Sequence, residues 1–539
     1  VNTENAINID EEELKKIIDD VEQVIKKEEQ SHVISITDQA DNSTSSSILD
    51  ALKGNEDGDA RLFIELNQGK YLYYHSIDKW FVWTGNYWEV DDMGKIYDGF
   101  GSVIQKYVEE AGRQAIAKIE AIKNQNDTEK NRAAKLEHDL LKRLHDIQTR
   151  GRKQNILKQV ADGIKSISIT GDVWDTDPYL LGCRNGVIEL KTGKFRPGQP
   201  GDLIRTIAPI DWLGIDTPAP MWEKFISEIF EQNEAVIKFM QRVFGYSIAG
   251  LTLEHILIIL QGEDGRNGKG TMLETLKHVL GELAWPIGVE MLLRDPRGKL
   301  SSAASPEYVA LKGKRIIWAS EIRQGLPLGL AKVKLLTGGD TIVCRPLNKD
   351  PLDFAPTHTV FLLSNPRPQI LEADDEAFWD RVHLIPFNIS FKAEPHGPNE
   401  KLRDINLPEK LRTEAPGILA WLVRGFLEWQ RIGLQPPDVI KKATLEYRMD
   451  EDVVKSYFDG CIKKEQGKDI KASDLHDDYM SWAIENGKTC LNNTVFGKRV
   501  AKIVKKVRKT EGYYYKDIRF LTKEEKEEQE KLKHGEESL

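Results

Sequence analysis

Between residues 262 and 271 the chain reads Gly262-Glu263-Asp264-Gly265-Arg266-Asn267-Gly268-Lys269-Gly270-Thr271, four glycines around one lysine. Glycines let successive backbone N–H groups close on an anion where a Cβ would stand in the way. A lysine at the start of the next helix adds an ammonium able to reach the β and γ oxygens of a nucleoside triphosphate. The flanks suit this chemistry: His255–Leu260 (HILIIL) is an apolar, β-branched run expected to be a buried strand, and MLETLKHVLG after Thr271 has helical spacing. Strand, glycine-rich loop and helix form the context in which a helix N-terminus cradles phosphate. The loop departs from the common spacing twice. Glu263 stands where a glycine is usual, and Gly270 where a magnesium-ligating Ser or Thr is usual, so that Thr271 is the nearest hydroxyl. On the loop alone, a nucleotide site and a plain glycine-rich turn both remain open.

Three further positions extend the pattern. Arg315–Ser320 (RIIWAS) is a second apolar strand closed by Glu321, a carboxylate placed to hold Mg²⁺ or orient an attacking water. Thr359–Ser364 (TVFLLS) is a third, ending at Asn365, whose amide can position a lytic water, and Arg381 comes next in Trp379-Asp380-Arg381-Val382. Singly these read as a surface acid, a turn former before Pro366 and an ion-pair partner. In this order, behind the loop, they read as a site for phosphoryl transfer.

The scaffold for these groups is a chain of 539 residues, long enough for three or four folded units. At 40% hydrophobic and 30% charged residues it is globular in composition. The net charge of −10 argues against a nucleic-acid partner only if it is spread evenly. The first 60 residues hold 16 acids and 5 bases, which leaves +1 for the other 479. No run approaches the ~18 apolar residues of a membrane helix, and the N-terminus lacks a signal pattern, so a cytoplasmic protein with no membrane partner is expected. Cys183, Cys344, Cys461 and Cys490 are far apart and are read as free thiols.

Along the chain, residues 1–59 read as an acidic helix and flexible linker. Residues 60–215 read as an α+β region: aromatic β segments (Tyr71, Tyr73, Tyr74, Trp80, Phe81, Trp83, Tyr87, Trp88), two long helices joined near Asn124–Asp127, and a β-rich connector. The aromatic crowding suits a small β core or a base-stacking surface. Residues 216–435 hold the phosphate loop, 436–520 a basic C-terminal domain and 521–539 a charged tail.

The stretches GRNGKGT (265–271), LKGKRIIWASE (311–321), KLLTGGDTIVCR (334–345), LLSN (362–365) and AFWDRVHLIPF (377–387) resemble superfamily 3 helicases, specifically the C-terminal part of the phage, plasmid and poxvirus-like primase-helicase family. The segment DTDPYLLGCRNGVIELKTG (175–193) is similar to the family's pre-helicase domain, and residues 445–520 to its winged-helix segment. The resemblance implies an α/β AAA+-type P-loop NTPase core, an α+β N-terminal region and a C-terminal winged-helix domain. It also implies a homo-oligomeric ring, usually a hexamer, with ATP between subunits. Gly262, Gly265, Arg266, Asn267, Gly268, Lys269, Gly270 and Thr271 then bind ATP. Lys269 corresponds to the P-loop lysine, Glu321 to the Walker B acid, Asn365 to the sensor and Arg381 to an arginine finger from the neighbouring subunit. Mg²⁺ is expected to be held mainly by phosphates and water, with Glu321 or Thr271 contributing, because Ser320 replaces the first acid of the family's usual pair.

Lys334–Arg345 resembles the segment leading into a channel hairpin. Ile342–Cys344 and Leu352–Phe354 are its expected strands and Lys349 its expected phosphate contact, with Arg345 and Lys334 touching DNA or bracing the hairpin; a solvated basic loop is the alternative. Residues 498–519 carry nine bases and two acids. Lys498, Arg499, Lys505, Lys506, Arg508 and Lys509 are expected on a recognition-type helix, with GYYYKDIRF as a β-wing. The expected function is an ATP-dependent replicative DNA helicase acting on single-stranded and forked DNA, 3′ to 5′, from a phage or plasmid-type element in a bacterial or archaeal cell. Two other readings stay open: a nucleotide-gated origin-binding or loading protein, and the helicase half of a bifunctional primase-helicase with a primase-polymerase partner.

Overall fold

The computed structural model describes residues 47–163, 165–262, 265–295, 305–320, 327–347, 350–488 and 490–525. The acidic N-terminal stretch and most of the charged tail lie outside them, as do Glu321 and Lys349. The chain divides into two compact units, one of residues up to 176 plus 198–205, the other of residues 177–197 and 206 onward.

In the first unit, helix Asn55–Asn67 leads to β1 (Tyr71–Tyr74), β2 (Lys79–Trp83) and β3 (Trp88–Val90), joined after helices Phe100–Lys123, Asp127–Gln148 and Arg150–Asp162 by β4 (Ser168–Ile169), in sheet order β3-β2-β1-β4. The two long helices pack through Val103, Tyr107, Leu140, Leu144 and Ile147, all buried at three-to-four spacing. Asn126 and Thr149 cap the second and third by accepting from Glu129 N and Arg152 N. The expected linker ends earlier than residue 59. Ile48, Ala51, Ala60, Leu62 and Phe63 are buried in this unit's core, and the fully buried Asp59 accepts from Tyr107, Arg143 and Arg152. Of the crowded aromatics, Tyr74, Phe81 and Trp88 close with Trp174 into one small cluster, so this part of the strand pattern makes a β core.

The second unit opens with β5 (Leu180–Cys183), β6 (Gly186–Glu189), β7 (Lys194–Arg196) and β8 (Ile207–Ala208). Leu181, Cys183, Ile188 and Ala208 share a core with helices Pro220–Ile229, Glu234–Ile248 and Ala415–Ile432. The connector therefore belongs with these C-terminal helices rather than with the 60–215 region, because its inward apolar residues are covered from that side.

The central element is a five-stranded, wholly parallel sheet of β9 (Leu257–Gln261), β10 (Ala284–Ile287), β11 (Ile316–Ala319), β14 (Thr359–Ser364) and β15 (Val382–Pro386), in order β10-β11-β14-β9-β15. Residues of β9 alternate between two cores, Ile258 and Leu260 in one, Leu257 and Ile259 in the other. A strand covered on both faces accounts for the continuous apolar run in the sequence. Between β11 and β14 come helix Leu330–Thr337 and an antiparallel hairpin of β12 (Ile342–Cys344) and β13 (Leu352–Phe354).

After β15 come a short parallel pair, β16 (Ser390–Lys392) and β17 (Glu400–Leu402), and beyond helix Asp438–Glu451, residues 453–520 form helices Val453–Cys461, Ala472–Glu485 and Asn493–Ile503 with β18 (Ile462–Lys471), β19 (Lys506–Lys509) and β20 (Gly512–Phe520), in an antiparallel sheet of order β18-β20-β19. The helix expected to run through residue 509 stops at Ile503. Lys506, Arg508 and Lys509 lie on β19, and Lys505 in the link before it. Among the described residues no helix is long and apolar enough to cross a membrane, and the four cysteines are free.

Candidate nucleotide site

The loop emerges at the carboxyl end of β9, where the strands of the sheet change direction of succession: β14 lies on one side and β15 on the other. In open α/β sheets this crevice is where ligands bind. The loop is anchored from below by Gly262 N donating to Ser364 O at 3.2 Å, and from the side by Phe391 N donating to Arg266 O at 3.0 Å. Gly268, at φ +87°, turns the chain into helix Lys269–Leu280, and a Cβ there would lie 2.8 Å from Ile229 Cγ2. A Cβ on Gly262 would lie 2.7 Å from Lys269 Nζ, so this glycine keeps space for the ammonium.

Lys269 is 7% exposed. Its Nζ donates to Asn267 Oδ1 at 2.9 Å and to Asn365 Oδ1 at 3.1 Å, with the Phe387 ring 5.8 Å away. Burial lowers its pKa to about 8. Asn267 faces two ways: its Nδ2 donates to Phe387 O at 3.2 Å and Ile389 O at 3.1 Å. The residue therefore pins the loop to the end of β15 while it holds the lysine. Asn267, expected among the nucleotide contacts, lines the cavity while its side-chain amide is engaged within the protein.

A cavity of about 600 Å³ opens here, lined by Gly265 to Thr271 together with Ser320, Leu363, Asn365 and Pro366, a size typical of ligand sites. The structure thus brings Arg266, Asn267, Lys269, Gly270, Thr271 and Asn365 to one place, and Ser320 brings the end of β11 there. Glu321 falls outside the described residues. Arg381 is at the other end of the sheet: its carbonyl accepts from Leu257 N, at the start of β9, at 2.7 Å. Its guanidinium donates to Ala377 O, and its Nε is buried without a partner. Among the described residues no group of three or more His, Cys, Asp or Glu is placed to hold a metal ion.

The expected DNA contacts are dispersed. Lys334 is ion-paired with Asp375, which lies between β14 and β15 rather than on the hairpin. Arg345 N donates to Ser305 Oγ at 3.2 Å at the foot of the hairpin. On β12, Val343 is 73% exposed, and Leu347 beyond it 70%. In the C-terminal domain Lys498, Lys505, Lys506, Arg508 and Lys509 are exposed, but Arg499 is only 7% exposed and its Nη2 has no hydrogen-bond partner, so it points inward rather than to solvent. Lys506 lies 4.7 Å from the Tyr513 ring and Lys509 4.7 Å from the Tyr514 ring, across the hairpin they share. The sequence marked Ser320 only as a missing acid and not as part of the cavity lining, and the acidic run Glu372–Glu376 was passed over. The run's charge density was the available signal for the latter.

Residues 60–231 match the family described as "D5 N terminal like", and residues 449–536 the family described as "Poxvirus D5 protein-like". Over 446 residues the chain is 28% identical to "Putative helicase L207/L206" of Acanthamoeba polyphaga mimivirus, covering 79% of this chain and 45% of that protein. It is 23% identical over 421 residues to "Putative helicase 022R" of Frog virus 3, covering 64% and 42%. It is also 25% identical over 241 residues to "Putative primase C962R" of African swine fever virus, covering 43% and 24%. The chain spans less than half the length of these curated relatives. Among solved structures, the apo C-terminal region of NrS-1 aligns with a TM-score of 0.42 at 12% identity, over 85% of this chain and 98% of that one.

Proposed function

We propose, from the premise that this chain is one of the D5-like primase-helicase proteins, that it is the ATP-driven motor of a DNA helicase. The observation that carries this is the convergence of Lys269, Asn365 and the glycine-rich loop on one cavity at the carboxyl end of a parallel sheet of order β10-β11-β14-β9-β15. In that order the strand before the loop lies between β15 and β14, the strand that leads to Asn365, which supports the AAA+-type reading.

In this reading the loop N–H groups and the N-terminus of helix Lys269–Leu280 bind the triphosphate, and the Lys269 ammonium moves from its two amide partners onto the β and γ oxygens. Asn365, released from the lysine, orients the water that attacks the γ-phosphorus in line while ADP leaves. Thr271 and Glu321 are the residues that would assist a Mg²⁺ arriving with the nucleotide, which would supply charge neutralisation on the triphosphate. Arg381 lies too far from its own loop to act there. It is suited to a neighbouring subunit's nucleotide, which makes a homo-oligomeric ring, in the proposal a hexamer, the working form. An arginine supplied in this way contributes about 10³ to 10⁵ in rate in other NTPases. The β12–β13 hairpin and the C-terminal domain, read as a winged helix, would contact single-stranded and forked DNA, with translocation 3′ to 5′.

Strand displacement and DNA-stimulated phosphate release by the wild type, Lys269→Ala and Arg381→Ala test the proposal. Wild-type activity in either variant overturns the mechanism. One observation favours a second reading: Gly270 leaves the position after the lysine without a hydroxyl. If ATP binds and stabilises an oligomer but no phosphate is released with DNA, the protein is a nucleotide-gated initiator instead.

A further inference from the structure

The run Glu372-Ala373-Asp374-Asp375-Glu376 lies between β14 and β15 and leads directly to Arg381. Three of its carboxylates pair with bases from three different elements. Asp374 pairs with Lys502 of helix Asn493–Ile503, Asp375 with Lys334 of helix Leu330–Thr337, and Glu376 with Arg448 of helix Asp438–Glu451. Asp375 also caps the turn Glu376–Trp379 by accepting from Phe378 N at 3.1 Å, and Trp379 Nε1 donates to Ala373 O at 2.8 Å. The run is thus a fixed junction within the unit that carries the nucleotide cavity.

Burial works against the charge of Asp374, but the bond from Lys502, a backbone N–H and the positive charges of Lys502 and Arg499 outweigh it and hold the carboxyl below its ordinary range. Arg499 and Lys502 sit three residues apart on one face of the helix, where side chains at that spacing are neighbours. The Nη2 of Arg499 is buried with no hydrogen-bond partner. Asp374 therefore pairs with one cation of this helix, Lys502, and lies in the field of a second, Arg499, on the helix that a winged-helix domain would lay against DNA.

We propose that Asp374 occupies the place of a nucleic-acid phosphate on helix Asn493–Ile503, so that DNA engages this helix only by displacing the intramolecular contact with Lys502. The inference rests on reading the C-terminal domain as a DNA-binding domain. The latch is breakable: Lys502 is 64% exposed at its side chain, and ion pairs of that kind are weak. A DNA backbone competes with the further advantage of counterion release. Displacement would untie the acidic run from the C-terminal domain while Asp375 and Glu376 keep it tied to the other two helices, placing the DNA-sensitive contact seven residues before Arg381.

Binding of a labelled duplex to the full chain, followed by fluorescence anisotropy over a range of salt concentrations, tests this in the wild type, Asp374→Asn, Lys502→Ala and the double variant. Asp374→Asn is expected to bind about two- to fivefold tighter, the strength of such a pair, and the gain is expected to vanish in the Lys502→Ala background. Asp374→Ser serves as a second variant, and an unchanged melting temperature verifies folding. Equal or weaker binding by both Asp374 variants overturns the latch, and so does the same gain with and without Lys502, which would mean a general loss of negative charge. If neither wild type nor Asp374→Asn binds duplex, the DNA-binding reading of the domain fails and takes the latch with it. Wild-type binding unaffected by Asp374 removes the latch alone.

Discussion

Lys269 is held where its charge is disfavoured, and on the proposed reading this would give nucleotide binding a pH dependence. Below about pH 8 the buried ammonium is present and would meet phosphate directly. As the pH rises through 8 the nucleotide-free protein loses that proton and has to regain it to bind, so affinity falls by up to about tenfold per pH unit. Calorimetry in two buffers of different ionisation enthalpy should show proton uptake above pH 8 and little at pH 7. The same depressed pKa makes the nucleotide-free fold gain stability between about 8 and the ordinary lysine range, since the unfolded chain keeps its proton longer. Asn267→Ala would take one partner from Lys269 and leave Phe387 O and Ile389 O unbonded, lowering stability by about 1–3 kcal/mol and weakening nucleotide binding, measured by denaturant melts and titration. Asn267→Asp keeps an acceptor for the lysine but puts a carboxylate beside the phosphates, so its loss should fall mainly on affinity. The residue types and spacing announced Lys269 and Asn365 as partners in one site. They did not announce that Asn267 is spent on backbone carbonyls 120 and 122 residues away, because a contact of that range has no local pattern.

Gly268 and Gly270 divide the loop's glycines by their work. Gly268→Ala meets Ile229 and a left-handed backbone, and should cost about 1 kcal/mol or more in stability. A methyl group on Gly270 would meet nothing within 4 Å, and the residue lies in the first turn of a helix, so Gly270→Ala should be neutral or stabilise by up to about 1 kcal/mol. Thermal melts of both variants separate the two. At the far end of the chain, Arg508→Ala with Lys509→Ala should weaken duplex binding across all sequences and reduce the slope of log affinity against log salt by about 2. These two residues show where local reading ran out. The alternation Lys506-Val507-Arg508-Lys509 serves a strand as well as a helix, and what decides it is the cross-hairpin pairing with Gly512–Tyr515, where the lysines stack on tyrosines. The parallel strands β9, β11 and β14 were legible because burial on both faces leaves an uninterrupted apolar signature, and the β12–β13 hairpin because its strands flank a polar tip.

If the motor is a ring with Arg381 acting across a subunit boundary, two dead variants should rescue each other. Lys269→Ala and Arg381→Ala, each inactive alone, would on random mixing in equal amounts restore about one quarter of the interfaces, and phosphate release should recover in proportion. No recovery would remove the trans assignment. Across the whole fold, His358 and His383 are both pushed down to about 4 by burial. The unfolded chain therefore takes up protons between pH 6.5 and 4 that the folded protein refuses, and stability is expected to fall across that window as the pH drops. Melting temperatures from pH 7 to 5 should show the slope, and His358→Leu should reduce it. The division of the chain was only partly legible, since the strands at 180–208 carry the same turn signals whichever core they join. The path of the backbone between the two units has its own consequence. Residues 198–205 return to the first unit after 177–197 have already entered the second, and Trp88 depends on that return, its N–H and indole N–H donating to Ile204 O and Pro200 O. No single breakpoint can therefore lift out the N-terminal half as an interchangeable cassette: a fragment stopped at residue 176 lacks the segment that satisfies Trp88, while one extended to 205 drags along three strands, β5 to β7, stripped of their cover.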